Sequence, residues 1–317
     1  MYHKISWQIN IGAYRLGLLD SVEIHKSVDL LADTCIIKLP ASVFNYTLNV
    51  EDKINPGDKV KVQLGYDDNL KDEFEGYLRR IDTDDGSLIL NCEDDLYLLR
   101  KPVKDKEFKG VGLKDIVQYV LSETGVALKQ NVTLNITYEK FVINAANGYD
   151  VLQKLQDETK GNIYIRDGVL NVHPLYTEKH GYVTYSFQQN IESSDLKYRT
   201  KEDRRIEVIV ENTDAKGKII EERAGTTGGE KVTIKAGGMT KEGMKQKAEN
   251  EHRLRSYNGY EGSITGWLIP YVEPGMSAKV IDEDYPKKDG SYYVTAVTTT
   301  VSSSGGVRKI QLGIRLN

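Results

Sequence analysis

This chain has few of the residues that cross-link a protein or interrupt its backbone. It contains two cysteines and seven prolines in 317 residues. Two cysteines cannot form the disulfide framework of a small secreted protein. Because Cys35 and Cys92 both lie in strand-like apolar runs, we expect two buried free thiols. The scarcity of proline excludes a long proline-rich linker.

Long apolar stretches are also missing. No segment approaches the roughly 18 consecutive apolar residues that a membrane helix requires. The N-terminal sequence Met1-Tyr2-His3-Lys4-Ile5 has no apolar core of the kind found in signal peptides. We therefore expect a soluble protein that is made in the cytoplasm.

The net charge of −4 is too close to neutral for the clustered basic face of a typical DNA-binding protein. We therefore expect no specific nucleic-acid binding. Residues 67–95 nevertheless carry eleven acidic and three basic side chains, so the rest of the chain has a net charge of +4. This stretch is either a set of solvated strand faces and turns, or an acidic surface along which DNA or another acidic polymer passes without binding.

Motifs that carry chemistry are absent. The five histidines are dispersed and form no metal-binding pattern: His3, His25, His173, His180 and His252. No G-x-S-x-G motif is present, and the glycine-rich residues 225–231 lack the lysine spacing of a phosphate-binding loop. We expect no catalytic residue, no cofactor and no metal.

Two carboxylate arrangements keep alternatives open. Asp82, Asp84 and Asp85 could bind Ca²⁺ through oxygen atoms, but they precede Gly86 where a hairpin turn is expected. A pair of carboxylates across a cleft could hydrolyse a glycoside, but the sequence does not give the distance between them.

The composition is that of a globular protein, with 39% apolar and 28% charged residues, and the length suits two or three domains. The first hundred residues alternate short strand patterns with turns. The predicted strands are residues 21–28, 34–39, 59–65, 73–81 and 87–92. Strands at this spacing predict an antiparallel barrel or sandwich.

Residues 101–180 change to helical spacing. One apolar face is formed by Leu113, Ile116, Val117, Val120 and Leu121, which predicts a helix that ends at Gly125. A second helix is predicted from about residue 147 to 161, and a strand hairpin follows it. The sequence thus predicts a small α+β domain.

The C-terminal part returns to a strand pattern. Predicted strands at 261–269, 276–281, 291–301 and 307–316 follow a third helix near 240–255, which Thr240 caps. The inward residues of this helix are few (Met244, Ala248 and Leu254), so we expect it on the surface.

A weak internal repeat is the most informative feature. The matching residues are Pro56, Gly57, Val62, Tyr77 and Ile81 in the first copy and Pro274, Gly275, Val280, Tyr293 and Val297 in the second. Tyr77 follows Pro56 by 21 residues, and Tyr293 follows Pro274 by 19. The repeat predicts two related barrels, although Pro-Gly turns and tyrosine-rich strands also recur by chance in β-proteins. Three chains with two such units each could form a ring of six similar units.

Several segments in the same order resemble the phage late control gene D proteins. They are residues 21–34, 55–66, 74–77, the helix from Leu113, residues 149–170 and residues 248–275. This family includes the baseplate hub of contractile-tailed phages and the N-terminal part of VgrG spikes. The resemblance implies a homotrimeric ring with pseudo-sixfold symmetry that joins a tail tube to a spike. The chain ends at Asn317 without a spike segment, so the spike is expected to be a separate protein.

The expected fold is mainly β with an α+β insertion. Residues 1–100 and 181–317 are predicted to form two related antiparallel β-barrels, and residues 101–180 the α+β domain. The expected function is structural and not enzymatic. The resemblance implies further copies of the chain, a spike protein and tail-tube or baseplate proteins as partners, in a phage tail, prophage tail or injection machine. Two alternatives stay open: a tail-tip protein of a non-contractile phage, and a carbohydrate-active β-protein, either a glycosidase or a sugar-binding module.

Overall fold

The structure is a computed structural model and describes residues 4–41, 50–84, 86–159, 161–213, 218–235 and 240–316. Within these residues the chain is mainly β and contains three α-helices. The predicted fold class, mainly β with an α+β insertion, is confirmed.

The first part of the chain consists of strands and two short 3₁₀ helices. The strands are β1 (Ile5–Ile11), β2 (Tyr14–Arg15), β3 (Ser21–Ser27), β4 (Thr34–Ala41), β5 (Lys59–Tyr66), β6 (Asn69–Asp84) and β7 (Ser87–Glu93). The 3₁₀ helices are Glu51–Lys53 and Asp95–Leu99. In β5, Val60, Val62 and Leu64 are buried while Lys59, Lys61 and Gln63 are not, because successive side chains of a strand point to opposite faces.

The middle part contains two helices among short strands. The strands are β8 (Pro102–Val103), β9 (Lys106–Gly112), β10 (Lys129–Val132), β11 (Thr137–Ile143), β12 (Ala146–Asn147), β13 (Gly161–Arg166) and β14 (Val169–Pro174). The helices are α1 (Leu113–Thr124) and α2 (Gly148–Thr159). All five residues of the predicted apolar face are buried in α1, and Gly125 ends this helix in the left-handed conformation.

The last part contains ten strands and the third α-helix. The strands are β15 (Tyr182–Ser186), β16 (Ser193–Ser194), β17 (Lys197–Arg199), β18 (Ile206–Thr213), β19 (Ile219–Gly225), β20 (Glu230–Lys235), β21 (Gly259–Trp267), β22 (Ser277–Ile281), β23 (Gly290–Ser302) and β24 (Gly305–Arg315). The helices are α3 (Lys241–Arg255) and the 3₁₀ helix Pro286–Lys288.

Helix α3 begins where the sequence predicts. The Thr240 hydroxyl accepts a hydrogen bond of 3.2 Å from the Gly243 amide, and Met244 and Ala248 are buried as expected. The prediction that Leu254 points inward is wrong, since this side chain is 43% exposed. Six residues after Ala248, Leu254 lies about 120° from it around the helix axis, outside the buried stripe.

One large sheet connects the two ends of the chain. Its strand order is β16-β21-β24-β23-β3-β4-β7-β6-β5-β1-β2, with β17 beside β21, and with β22 beside β23 and β15 beside β22. β3 and β23 pair antiparallel, from Ser21 opposite Ser302 to Ser27 opposite Ala296. The sheet covers two apolar cores, one with Val62 and Leu90 and one with Val280 and Ile310.

The helical middle part has an apolar core of its own. α1 and α2 pack beside the sheet β10-β14-β13 and the pairs β9–β11 and β8–β12. Leu31, Ala32, Leu96 and Leu99 of the first hundred residues also belong to this core. The predicted boundary at residue 100 stays a prediction.

A second small unit lies between β17 and β21. Its sheet β19-β18-β20 carries α3 on one face. The core between them contains Val208, Val210, Ile234, Met244 and Ala248. The described residues between 206 and 255 therefore bury their apolar side chains largely among themselves.

Candidate functional site

The two predicted Pro-Gly turns have the same hydrogen bonds. The Gly57 amide donates to the Leu78 carbonyl (2.7 Å) and the Gly275 amide to the Val294 carbonyl (3.0 Å). In return, Leu78 donates to Asp58 (2.8 Å) and Val294 to Met276 (2.9 Å). The φ angles of Gly57 and Gly275 are +98° and +91°, a region that glycine enters without steric cost. Pro56 and Pro274 precede these glycines in equivalent turns.

The strands that follow the turns also correspond between the first β-unit, β1–β7, and the second β-unit, β15–β17 with β21–β24. Lys59 lies opposite Tyr77, and Ser277 lies opposite Tyr293. In both units the long strand then has one extra residue, Arg79 in β6 and Thr295 in β23, before regular pairing resumes. Such a bulge bends a strand and increases its twist. The presence of a bulge at the equivalent position of both strands favours the interpretation that the two units are copies of one another.

The remaining repeat residues lie at matching positions beyond the bulges. Ile81 is opposite Leu90, and Val297 is opposite Ile310. Val62 and Val280 are fully buried in the two cores. The units differ at one edge, because β1 pairs antiparallel with β5 while β15 pairs parallel with β22.

The correspondence extends to the neighbouring strands, including two that the sequence did not indicate. β4 lies beside β7 as β21 lies beside β24. On the other side of β4, Ser21 faces Lys38 and His25 faces Thr34. On the other side of β21, Ser193 faces Thr265 and Lys197 faces Glu261. Residues 193–199, which include β16 and β17, are therefore the counterpart of β3.

These counterparts have different surroundings. β3 lies between β4 and β23, whereas β16 and β17 pair only with β21 in the described part of the chain. Likewise β23 pairs with β3 beyond its bulge, whereas residues 80–84 of β6 pair only with β7 among the described residues. These two unpaired edges are the candidate functional site. The sequence Ser-Ser-Asp-Leu-Lys-Tyr-Arg at 193–199 is mostly polar, and its alternation is limited to Leu196 and Tyr198, so sequence reasoning missed it.

A buried ion pair joins the two β-units. Arg308 of β24 donates hydrogen bonds of 2.8 and 3.1 Å to the Glu73 carboxylate of β6. The Arg308 guanidinium also donates to the carbonyls of Leu268 and Val272. Arg308 is 1% exposed and Glu73 2% exposed. Nothing in the sequence marked this pair, because its members are 235 residues apart.

The acidic stretch 67–95 is not one continuous acidic surface. Glu73 and Glu93 are buried and paired with Arg308 and Arg100. On the surface, Lys61 forms salt bridges with Asp72 and Glu75, and Arg80 forms one with Asp82. These contacts favour the interpretation as strand faces and turns over that of a non-adhesive acidic surface.

A cavity of about 270 Å³ lies where the two β-units meet the helical part. Its lining includes Lys26, Asp33, Glu75, Asp94, Arg166 and Glu273. Burial raises the pKa of Asp33 to about 6, although the charge of Lys26 lowers it. Burial, together with the charge of Asp33, also raises the pKa of the Asp94 carboxyl.

Both raised carboxyls have structural partners. Asp33 accepts a hydrogen bond from the Ser27 amide (3.1 Å), and Asp94 accepts from the amides of Asp33 and Leu96 (both 3.0 Å). They cap the β3–β4 connection and the 3₁₀ helix Asp95–Leu99. These bonds account for the two carboxyls by their role in the fold, so the glycosidase alternative gains no support from them.

The two cysteines and the possible metal ligands can also be located in the structure. Cys35 and Cys92 are buried free thiols that face each other across β4 and β7, and burial raises the pKa of Cys35. Across the described ranges no three histidine, cysteine, aspartate or glutamate side chains are grouped so that they could hold a metal ion. No helix among the described residues has the length and apolar character to span a membrane.

The sequence profile of the family described as the Alg8 N-terminal domain matches residues 17–302. No protein with a curated description matches the sequence. Among solved structures, the fold is similar to a tail protein of Neisseria meningitidis MC58, with a TM-score of 0.64 and 15% identity over 99% of this chain and 97% of the other.

Two further solved structures share the fold. The 43 kDa tail protein of prophage MuSo2 from Shewanella oneidensis has a TM-score of 0.60 and 15% identity, over 98% of this chain and 97% of the other. The Escherichia coli c3393 protein, described as a component of the type VI secretion system, has a TM-score of 0.56 and 11% identity, over 98% and 76%. At such identities the similarity is one of fold.

Proposed function

This chain belongs to the Alg8 N-terminal domain family, and we propose that it is a structural, non-enzymatic subunit of a phage tail or a related injection machine. The observation that carries the proposal is a fold shared with a tail protein over 99% of this chain and 97% of that one. Two proteins that align from end to end have the same arrangement of parts, so the likeness is not limited to one common barrel.

We further propose that the chain forms a homotrimeric ring with pseudo-sixfold symmetry, the hub between a tail tube and a separate spike protein. The matching Pro-Gly turns, bulges and register of the two β-units support this proposal. Two similar units per chain allow three chains to present six similar surfaces to a sixfold partner. The tail tube, other baseplate proteins and the spike would then be the partners.

The ring can be tested with the purified full chain. Light scattering after size-exclusion chromatography should give three times the chain mass of 35.8 kDa. Negative-stain electron microscopy should show rings with an open centre and six similar lobes. A mass of one chain at every concentration, together with single compact particles, would contradict the ring.

A further inference from the structure

The pairing between β3 and β23 joins the two β-units of one chain in a shared sheet. In this ladder Thr298 faces His25 and Thr299 faces Ile24. Val297, Thr299 and Val301 of β23 are buried, and so are Val22 and Ile24 of β3. The contact is thus a continuous strand pair with an apolar face.

In the described part of the chain, the counterparts of β23 and β3 have no partner strand on the equivalent edge. Residue for residue, Arg80–Asp84 of β6 corresponds to Ala296–Thr300 of β23, because both segments follow the bulge. Residues 193–199 correspond to β3 because they keep the same register with the adjacent strand. Among the residues that the structure describes, each edge therefore has no partner strand for its backbone amides and carbonyls, which can pair with a strand of another chain.

Side chains of the paired strands are buried, whereas the equivalent side chains of the unpaired strands are more exposed. Val22 and Ile24 are buried, whereas their counterparts Ser194 and Leu196 are exposed and half-buried. Thr299 is buried, whereas its counterpart Thr83 is exposed. The described residues cover this position in one unit and not in the other, as expected if a second chain supplied the cover.

We propose that Arg80–Asp84 of one copy pairs antiparallel with residues 195–199 of a second copy, in the register of the β3–β23 ladder. Ile81 then faces Tyr198, Asp82 faces Lys197, and Thr83 faces Leu196. Opposite charges directly across a strand pair stabilise it, and the apolar side chains meet on the other face. The inference rests on the proposed ring and specifies its interface.

In this register two pairs of residues with the same charge would face each other, and members of both pairs already have partners within their own chain. Arg80 would face Arg199, but Arg80 forms a salt bridge of 2.7 Å with Asp82, and Arg199 one of 2.9 Å with Glu261. Asp84 would face Asp195 at the end of the ladder. The Asp195 carboxylate accepts hydrogen bonds from the amide and the hydroxyl of Ser263 in its own chain.

The two edges lie on different units, so the contact is head-to-tail. Each copy donates one edge of each kind, and such heterologous contacts close into a ring when the rotation between copies permits. Around the ring, the β3–β23 pairing within chains would alternate with the β6–β17 pairing between chains. Six similar joints would then close the ring, although only three of them lie between molecules.

Cysteine cross-linking tests the register. In the full chain, the double variant Thr83→Cys/Leu196→Cys should form a covalent three-chain species on oxidation, because directly opposed Cβ atoms lie about 4.5–5.5 Å apart. The control Thr83→Cys/Lys197→Cys places the thiols on opposite faces of the sheet and should give little product. The wild-type protein should give none, since Cys35 and Cys92 are buried.

Charge reversal tests the same register without oxidation. In an Arg80→Gln background, Lys197→Asp should weaken association about fivefold per interface, and adding Asp82→Lys to the same chain should restore it. Arg80 is replaced in both variants because it would otherwise face Arg199 without its Asp82 partner. A failure to restore association overturns the register. A three-chain mass without the Thr83–Leu196 cross-link overturns this edge pairing but leaves the ring intact. A single-chain mass without the cross-link overturns both.

Discussion

At the scale of single residues, we expect the buried Arg308–Glu73 pair to be highly sensitive to substitution of one partner. An Arg308→Met variant would leave the Glu73 carboxylate buried without its cation. Loss of one partner from a buried pair costs about 3–5 kcal/mol. We expect the free energy of unfolding, measured with urea, to fall by that amount.

The exposed Arg80–Asp82 pair provides the control for this prediction. Its side chains are 64% and 37% exposed, so Arg80→Met should cost less than about 1 kcal/mol. If the two arginine variants lose equal stability, the buried pair does not join the β-units as described. The double variant Arg308→Met/Glu73→Leu should lose less than the single Arg308 variant, because no buried charge is left unpaired.

Asp33 should make stability depend on pH. Its pKa is about 6 in the folded chain, above the ordinary 3.8, so between these values the folded state binds more protons than the unfolded state. The free energy of unfolding therefore falls as pH rises through this range. Asp33→Asn removes the effect, and the difference between variant and wild type should rise by up to about 3 kcal/mol between about pH 4 and about pH 8.

Asp72 serves as a control of opposite sign. Hydrogen bonds from Lys61 and Gln63 lower the pKa of its exposed carboxyl. The stability of Asp72→Asn relative to wild type should therefore change little with pH, and in the other direction. An unfolding profile of Asp33→Asn that runs parallel to wild type at every pH would contradict the raised pKa of Asp33.

At the scale of elements, the two Pro-Gly turns differ in what surrounds them. A Cβ on Gly275 would lie 2.8 Å from the His180 ring, whereas a Cβ on Gly57 would meet only the Tyr97 hydroxyl at 3.7 Å. Both positions have positive φ angles, which cost an L-residue about 1–2 kcal/mol. Gly57→Ala should lose about this amount, and Gly275→Ala should lose more.

Thermal unfolding measures this difference. Gly17→Ala is the control, because nothing lies within 4 Å of its Cβ position and its φ angle is outside the positive range. Its melting temperature should stay close to that of the wild type. Equal melting temperatures for Gly57→Ala and Gly17→Ala would show that the backbone conformation of the first turn does not require glycine.

Elements with a regular period could be predicted from the sequence. The apolar face of α1, the Thr240 cap of α3 and the alternation in β5 are local patterns, so their positions were correct within a few residues. Strands such as β17 and β20 were missed because their side chains are mostly polar and exposed. Leu254 was misplaced because helix phase, and not apolar character alone, decides burial.

The candidate site was predictable only in part. The Pro-Gly repeat was visible because both copies keep the same local turn. The two unpaired edges were not, because they are defined by the pairing of β3 with β23, about 270 residues apart in sequence. No local period encodes a partner at that distance, and only the register of the complete sheet identifies the residues that lack one.

At the scale of the whole molecule, the unit of residues 206–255 is an insertion between two strands of the large sheet. In the first β-unit, residues 28–33 suffice to connect β3 to β4, whereas residues 200–258 connect β17 to β21. The inserted unit has its own core, and none of its described residues belongs to the cores of the two β-units or of the helical part. Arg204 donates to the Gly259 carbonyl, so the ends of the insertion lie close together.

Replacement of residues 206–255 by a short glycine-serine linker should therefore leave the rest of the chain folded. We expect a cooperative melting transition and the same number of chains per particle as in the wild type, measured by circular dichroism and light scattering. Removal of residues 104–173 is the contrasting control, because it strips Leu31, Ala32, Leu96 and Leu99 of their apolar neighbours. That variant should aggregate, and an equally severe loss from both deletions would show that the inserted unit is required by the large sheet.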